Sequence, residues 1–314
     1  LTAVPTFSPL STTDRFRAVR TWQAAVGCLL VLLSLSGLNT LHAAPLRVGI
    51  FHAEEREQYR SFEAALRHEL TGLDDITLVS TEAVPQQIDL LLAVGGAKPS
   101  QRLSDAAIPV LHVMTSRAKF GSHGQTPSNR TTAIYMDQPL SRQIRLLRTA
   151  LPQARTIGVL VSSPPAVLAE LIPLAEAAGL TVNVRTAAEP SGLAAGLSEV
   201  LAVSDALLVL PDAEIYRSDT IRNILLETYR QRVPMIGLSQ NYVRAGALCA
   251  VYSTPLQIAE QTARVVSQFA RTRKLPDYQY PQEFEVAVNT QVARSLGLTI
   301  KSAEQLRNEI GERP

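Results

Sequence analysis

From residue 46 onward, short apolar runs alternate with stretches in which apolar side chains recur every three or four positions. The runs predict strands over 46–51, 76–79, 89–94, 110–114, 156–161, 181–185, 206–210, 235–238 and 248–252. Between them the longer period predicts helices over 55–70, 140–151, 167–178, 221–232 and 256–272. Leu140, Ile144, Leu147 and Leu151 mark one inward face. Thr254-Pro255 is a strong helix start, a hydroxyl N-cap followed by proline in the first turn. Strands that are apolar almost throughout, each followed by a helix, predict parallel sheets covered on both faces.

The strand–helix series runs twice, once from Leu46 to about Ala133 and again from Thr156. This predicts an α/β protein of two Rossmann-like, doubly wound lobes with a central cleft. Residues 45–135 and 253–280 are assigned to the first lobe, and 136–252 and 281–314 to the second. In such sheets ligands bind beyond the carboxyl ends of the strands. That rule selects the loops 95–100, 115–119, 162–166, 211–217 and 239–243 as cleft loops. The polar stretch 122–131 reads as a longer surface loop.

The first 44 residues follow another pattern. Arg15, Arg17 and Arg20 precede an apolar run from Ala24 to Leu35, and Leu41-His42-Ala43 follows it. A basic region, a short apolar core and a small residue at the end predict a cleaved secretory leader over 1–44 and a periplasmic protein. The chain starts at Leu1 and has no Met before Met114, which leaves open a reading of residues 1–14 as untranslated. Cys28 starts the apolar run, whereas a lipid-bearing cysteine would end it, so lipidation is not expected.

Composition changes this picture only slightly. Hydrophobic residues are 46% and charged residues 18% of the 314, enough for packed cores. The net charge of +2 belongs to the leader, and residues 45–314 carry equal numbers of acidic and basic side chains. A neutral surface excludes the electrostatic footprint of a nucleic-acid binder. After cleavage Cys249 is the remaining cysteine, and its apolar neighbours Leu248 and Ala250 predict a buried, inert thiol.

Motifs for chemistry are scarce. His52, His68, His112 and His123 show no metal-ligand spacing, so no metal and no cofactor are expected. There is no Gly-x-Ser-x-Gly elbow, and Glu54-Glu55 and Asp74-Asp75 suit a helix start and a turn. Gly95-Gly96 lacks the spacing of a phosphate loop and reads first as a tight turn; its functional version brings the Gly96 amide to a ligand carboxylate. The chain is therefore not expected to be an enzyme.

The second half carries recognisable segments: Asp205-Ala206-Leu207-Leu208-Val209-Leu210-Pro211-Asp212, then Val233-Pro234-Met235-Ile236-Gly237. These are followed by Tyr242-Val243-Arg244-Ala245-Gly246-Ala247-Leu248 and Val288-Asn289-Thr290-Gln291-Val292-Ala293-Arg294-Ser295-Leu296-Gly297-Leu298. Together they resemble the ABC transporter substrate-binding proteins whose better-known members bind tryptophan, phenylalanine or tyrosine. The resemblance is specific over about 156–300 and looser before it. It implies a type I periplasmic-binding fold, two lobes joined by three crossovers. Three loops depart from the family pattern. Ala213 stands where an asparagine is usual, Ser162-Ser163-Pro164-Pro165 replaces a loop richer in Asn and Glu, and Ser239-Gln240-Asn241-Tyr242 lacks an acidic residue. An aromatic amino acid is therefore not carried over to this chain.

Residues and resemblance together predict capture of a small ligand, an amino acid or similar small polar compound, for an inner-membrane permease. The alternative is a periplasmic sensor reporting to a membrane signalling protein or outer-membrane receptor. The expected contacts are Gly96, Thr115 and Ser116 from the first lobe. From the second come Ser162, Ser163, Asp212, Ser239 and Gln240, with the scarce aromatics Tyr216 and Tyr242 as stacking surfaces.

Overall fold

The computed structural model describes residues 44–52, 54–73, 75–79, 88–96, 108–122, 130–164, 166–187 and 192–311. Residues 1–43 of the predicted leader, His123, Asp74, Pro165, most of the 122–131 loop and residues 97–100 lie outside them.

The first sheet contains β1 (Leu46–His52), β2 (Ile76–Val79), β3 (Leu90–Val94), β4 (Val110–Thr115) and β5 (Thr131–Tyr135). All are parallel, in the order β2-β1-β3-β4-β5. Every β3 residue is buried. Successive side chains point to opposite faces, which explains the unbroken apolar run: Leu90, Leu92 and Val94 enter one core, and Leu91 another. The first core is closed by α1 (Glu57–Leu70) through Phe62 and Leu66, and by α8 (Pro255–Thr272) through Val265, Val266 and Phe269.

The second sheet contains β6 (Thr156–Val161), β7 (Thr181–Thr186), β8 (Ala206–Leu208), β9 (Met235–Gly237), β10 (Cys249–Tyr252) and β11 (Glu285–Val288). Its order is β11-β10-β9-β8-β6-β7, parallel except for the β10–β11 pair. Setting β11 aside, the two sheets share one winding order, so the repeated strand–helix series in the sequence corresponds to a repeated topology. The second-sheet helices are α3 (Leu140–Ala150), α4 (Leu168–Ala177), α5 (Leu193–Leu201), α6 (Ile221–Arg230) and α7 (Gln240–Ala245), with α9 (Thr290–Ser295) and α10 (Ala303–Gly311) after β11. Cys249 is fully buried in β10, and burial pushes its thiol up to about 12, which leaves it unreactive at neutral pH.

The chain passes between the sheets three times: after β5, after β10 and before β11. The helix that follows second-sheet β10, α8, packs on the first sheet, while α3 follows first-sheet β5 but shares its core with Leu306 and Ile310 of α10. Helix α8 starts with a reciprocal cap in which Gln257 N–H donates to Thr254 Oγ1 and Thr254 N–H donates to Gln257 Oε1. The crossing segments are bonded to one another. Gln138 Nε2 donates to Ser253 Oγ at 2.8 Å, Ser253 Oγ donates to the Glu283 carbonyl at 2.6 Å, and Arg142 Nη1 donates to the Pro281 carbonyl at 3.0 Å.

Two strands escaped the hydrophobic pattern, β5 and β11. Thr131 and Thr132 open β5, and a buried Thr132 carries no apolar signal; β11 is a short edge strand, half-buried at most positions. The predicted polar loop 122–131 accordingly ends one residue early, where Thr131 already pairs with Val110. Gly95 and Gly96 form a tight turn after β3 with φ of 72° and 75°. A Cβ on Gly95 would stand 2.4 Å from the Tyr59 ring, so glycine is required there both for conformation and for space.

Candidate functional site

Loops at the carboxyl ends of both sheets converge on a cavity of about 540 Å³ beside the crossing segments. The first sheet contributes α2 (Arg117–Ser122), which supplies Arg117, Phe120 and Gly121, and Tyr135 at the end of β5. The second supplies Ala166, Val167, Leu210 and Pro211, and the crossing segments add Asp137, Gln138, Tyr278 and Tyr280, with Gln143 on α3.

Local backbone geometry sets the first-sheet side. Met114 has φ of 54°, in the left-handed region, and β4 slips register between Val113 and Thr115. This bulge immediately precedes α2, at a cost of order 1 kcal/mol. Arg117, the first residue of α2, reaches across the cleft. Arg117 Nη1 donates to Glu170 Oε2 on α4 at 2.7 Å and to the Tyr280 hydroxyl at 2.9 Å. The Glu170 bond is the main cause raising the guanidinium further above its usual value. Arg117 N–H donates to Asp137 Oδ2.

The walls are aromatic. The Tyr135 ring centroid lies 5.9 Å from Phe120, 5.6 Å from Tyr278 and 5.5 Å from Tyr280. Burial pushes the Tyr135 hydroxyl up to about 12 and raises that of Tyr280. Burial also pushes the Asp137 carboxyl up to about 6, opposed in part by the Arg117 amide and charge. Gln143 is 6% exposed; its Nε2 donates to the Gln138 carbonyl at 3.3 Å, and its Oε1 has no partner. No group of three or more His, Cys, Asp or Glu with metal-holding geometry occurs among the described residues.

Of the ten residues selected from the sequence, Thr115 ends β4, Gln240 and Tyr242 belong to α7 and the other seven lie in loops, yet none lines this cavity. Gly96 is packed against the Lys119 side chain, which leaves no room for a Cβ there. Thr115 is buried, with its hydroxyl toward the Ser116 carbonyl, and Ser116 Oγ accepts from Lys119 N–H. Asp212 is spent within its own lobe: Oδ2 accepts from Ser162 N–H at 2.7 Å and Ser162 Oγ at 2.9 Å. Its Oδ1 accepts from the amides of Glu214 and Ile215. Tyr216 donates to the Leu160 carbonyl at 3.2 Å and packs against the core beneath β8. Tyr242 packs over Gly237, Ser239 precedes α7, and Ser163 and Gln240 are exposed. His52 is bonded to Glu63 on α1.

The polar and aromatic cavity-lining residues that sequence reasoning missed include Arg117, Phe120, Tyr135, Asp137, Gln138, Gln143 and the crossover tyrosines. A signal existed in Tyr278-Gln279-Tyr280, a pair of aromatics in a chain that is 5% aromatic. Helical periodicity marked α3 for its apolar face and passed over Gln143.

The Arg117–Glu170 pair joins the two sheets' loops. Both side chains are 42% exposed, and an exposed pair contributes about 1 kcal/mol at most. It therefore biases an open–closed equilibrium about five-fold without locking it. The expected result for Arg117→Ala is a larger radius of gyration for the ligand-free protein in small-angle scattering, matched by Glu170→Gln. Unchanged radii in both variants would show that the pair follows lobe position and does not set it.

Comparison with known proteins agrees with this architecture. The family described as ABC transporter substrate binding protein matches residues 58–309. No curated protein matches the chain in sequence. Among solved structures, an ABC domain from Streptococcus pneumonia in complex with L-Trp superposes with TM-score 0.59 at 18% identity, covering 83% of this chain and 98% of that one. A conserved domain protein from Vibrio cholerae gives 0.59 at 18%, covering 84% and 98%. A ligand-free, open substrate binding protein with adhesive properties from Clostridium difficile gives 0.64 at 15%, covering 82% and 97%. These likenesses show the fold, two doubly wound lobes of the periplasmic-binding type, and the family match extends over most of the sequence. The chain belongs to the ABC transporter substrate binding protein family.

Proposed function

We propose that this protein is an exported receptor that captures a small ligand in its cleft, hands it to an inner-membrane permease and performs no reaction. The supporting observation is the cavity itself. It draws its walls from both sheets and two of the three crossing regions, where one ligand would bridge loops that otherwise move apart. Its volume lies within the usual range for small-molecule sites, about 300–1,000 Å³. The family match favours transport, and the leader-like pattern over 1–44 supports a periplasmic location. No helix among the described residues is long and apolar enough to cross a membrane.

The test is native mass spectrometry of protein purified from its host without refolding, paired with scattering before and after removal of any bound compound. A retained small molecule whose removal expands the protein is the expected result. Absence of both retention and compaction, across amino acids, amines, nucleosides and organic anions, would falsify the receptor reading.

A further inference from the structure

The cavity's polar groups are unbalanced in a way that selects a ligand. Its acceptors lack partners: among the described residues Asp137 receives a single hydrogen bond, on Oδ2, and the buried Gln143 Oε1 receives none. Several of its donors are already engaged within the protein. Arg117 Nη1 is shared between Glu170 and Tyr280, Gln138 Nε2 is given to Ser253, and Gln143 Nε2 to the Gln138 carbonyl. At the start of α2, Arg117 N–H is taken by Asp137 and Lys119 N–H by Ser116 Oγ. Around these acceptors stand the packed rings of Phe120, Tyr135, Tyr278 and Tyr280, whose faces attract a cation and whose area suits an apolar body.

We propose that the cleft takes an organic amine, a cationic amino group on an aromatic or apolar body with no carboxylate of its own. This rests on the cleft being a ligand site. The ammonium would sit between Asp137 and Gln143 Oε1, donating to both, with the body against the tyrosine wall. A ligand carboxylate would instead face Asp137 beside a guanidinium whose charge Glu170 already balances, a repulsive arrangement. The raised carboxyl of Asp137 accords with this, since an adjacent ligand cation would compensate the burial that now disfavours its charge.

The experiment is calorimetric titration of the full-length mature protein with four compounds of one body: 2-phenylethylamine, phenylalanine, phenylacetate and 2-phenylethanol. The amine is expected to bind about 30-fold more tightly than the acid or the alcohol, the usual effect of a charged hydrogen bond to a buried partner. Asp137→Asn is expected to remove that advantage while leaving alcohol binding unchanged, and Gln143→Leu to weaken the amine less severely. Circular dichroism of both variants establishes that they fold. Tighter binding of phenylalanine or phenylacetate than of the amine overturns the proposal, as does undiminished amine binding by Asp137→Asn. If none of the four binds while native mass spectrometry finds a non-amine compound in the protein, the amine proposal falls and the receptor reading stands.

Discussion

Asp212→Ala is expected to destabilise the protein by about 3 kcal/mol, without a separate loss of ligand affinity at saturating stability. The carboxylate accepts four hydrogen bonds, three of them from backbone amides, and so ties the end of β6 to the loop that follows β8. Alanine leaves the Ser162, Glu214 and Ile215 amides without their acceptor. Each half-buried amide left so costs about 1 kcal/mol after partial rescue by water. Urea denaturation read by circular dichroism would show a lowered midpoint with an unchanged slope. Asp212→Asn keeps one accepting oxygen and should retain about half the loss. Were Asp212→Ala as stable as the parent yet unable to hold ligand, the residue would be a ligand contact after all, as the sequence alone suggested.

Asp137→Asn should have the opposite sign, and only above a particular pH. The Asp137 carboxyl is pushed up to about 6 in the folded protein from 3.8, so folding takes up a proton between those values. Below pH 3.8 the acid is neutral in both states and contributes nothing. Stability from this group falls as pH rises from 3.8 through 6, and above 6 the full penalty remains. Asparagine keeps an acceptor for the Arg117 amide and carries no charge to bury. The variant should match the parent near pH 4 and exceed it at pH 7.5 by about 3 kcal/mol, at 1.36 kcal/mol per pKa unit. That corresponds to about 6 °C in Tm for a chain of this size. The charged and titratable groups facing Asp137 are Arg117, Tyr135 and Tyr280, and all three keep their ionisation across this window. Equal melting temperatures at pH 7.5 would mean that solvent already reaches the carboxylate. A gain in stability alongside a loss of amine binding would instead mark a group kept for its ligand at a structural cost.

How far residues alone reached can be followed at single positions. Thr254 and Gln257 cap α8 as Thr254-Pro255 predicted, because a cap is a local matter of four neighbouring residues. Cys249 is buried as its apolar neighbours indicated. Asp212 and Tyr216, by contrast, were read as ligand contacts because they sit past a strand end. The rule that ligands bind there identifies a loop; it does not say which side chains on it turn back to satisfy their own backbone. Asp212 turns back to Ser162, and Tyr216 to Leu160.

The sequence by itself determined that two α/β sheets form, which strands lie at their centres, and which loops gather at their carboxyl ends. Those properties follow from hydrophobic period and from the length of each apolar run, quantities that neighbouring residues carry. The tertiary structure alone decided the cavity. Arg117 meets Tyr280 across 163 positions, and Asp137, Gln143 and Tyr278 join them because the chain crosses between the sheets at three places. Such meetings depend on where distant backbone segments converge and on which polar atoms find partners first. No local pattern encodes that competition, and the acceptors left open by it are what define the candidate site.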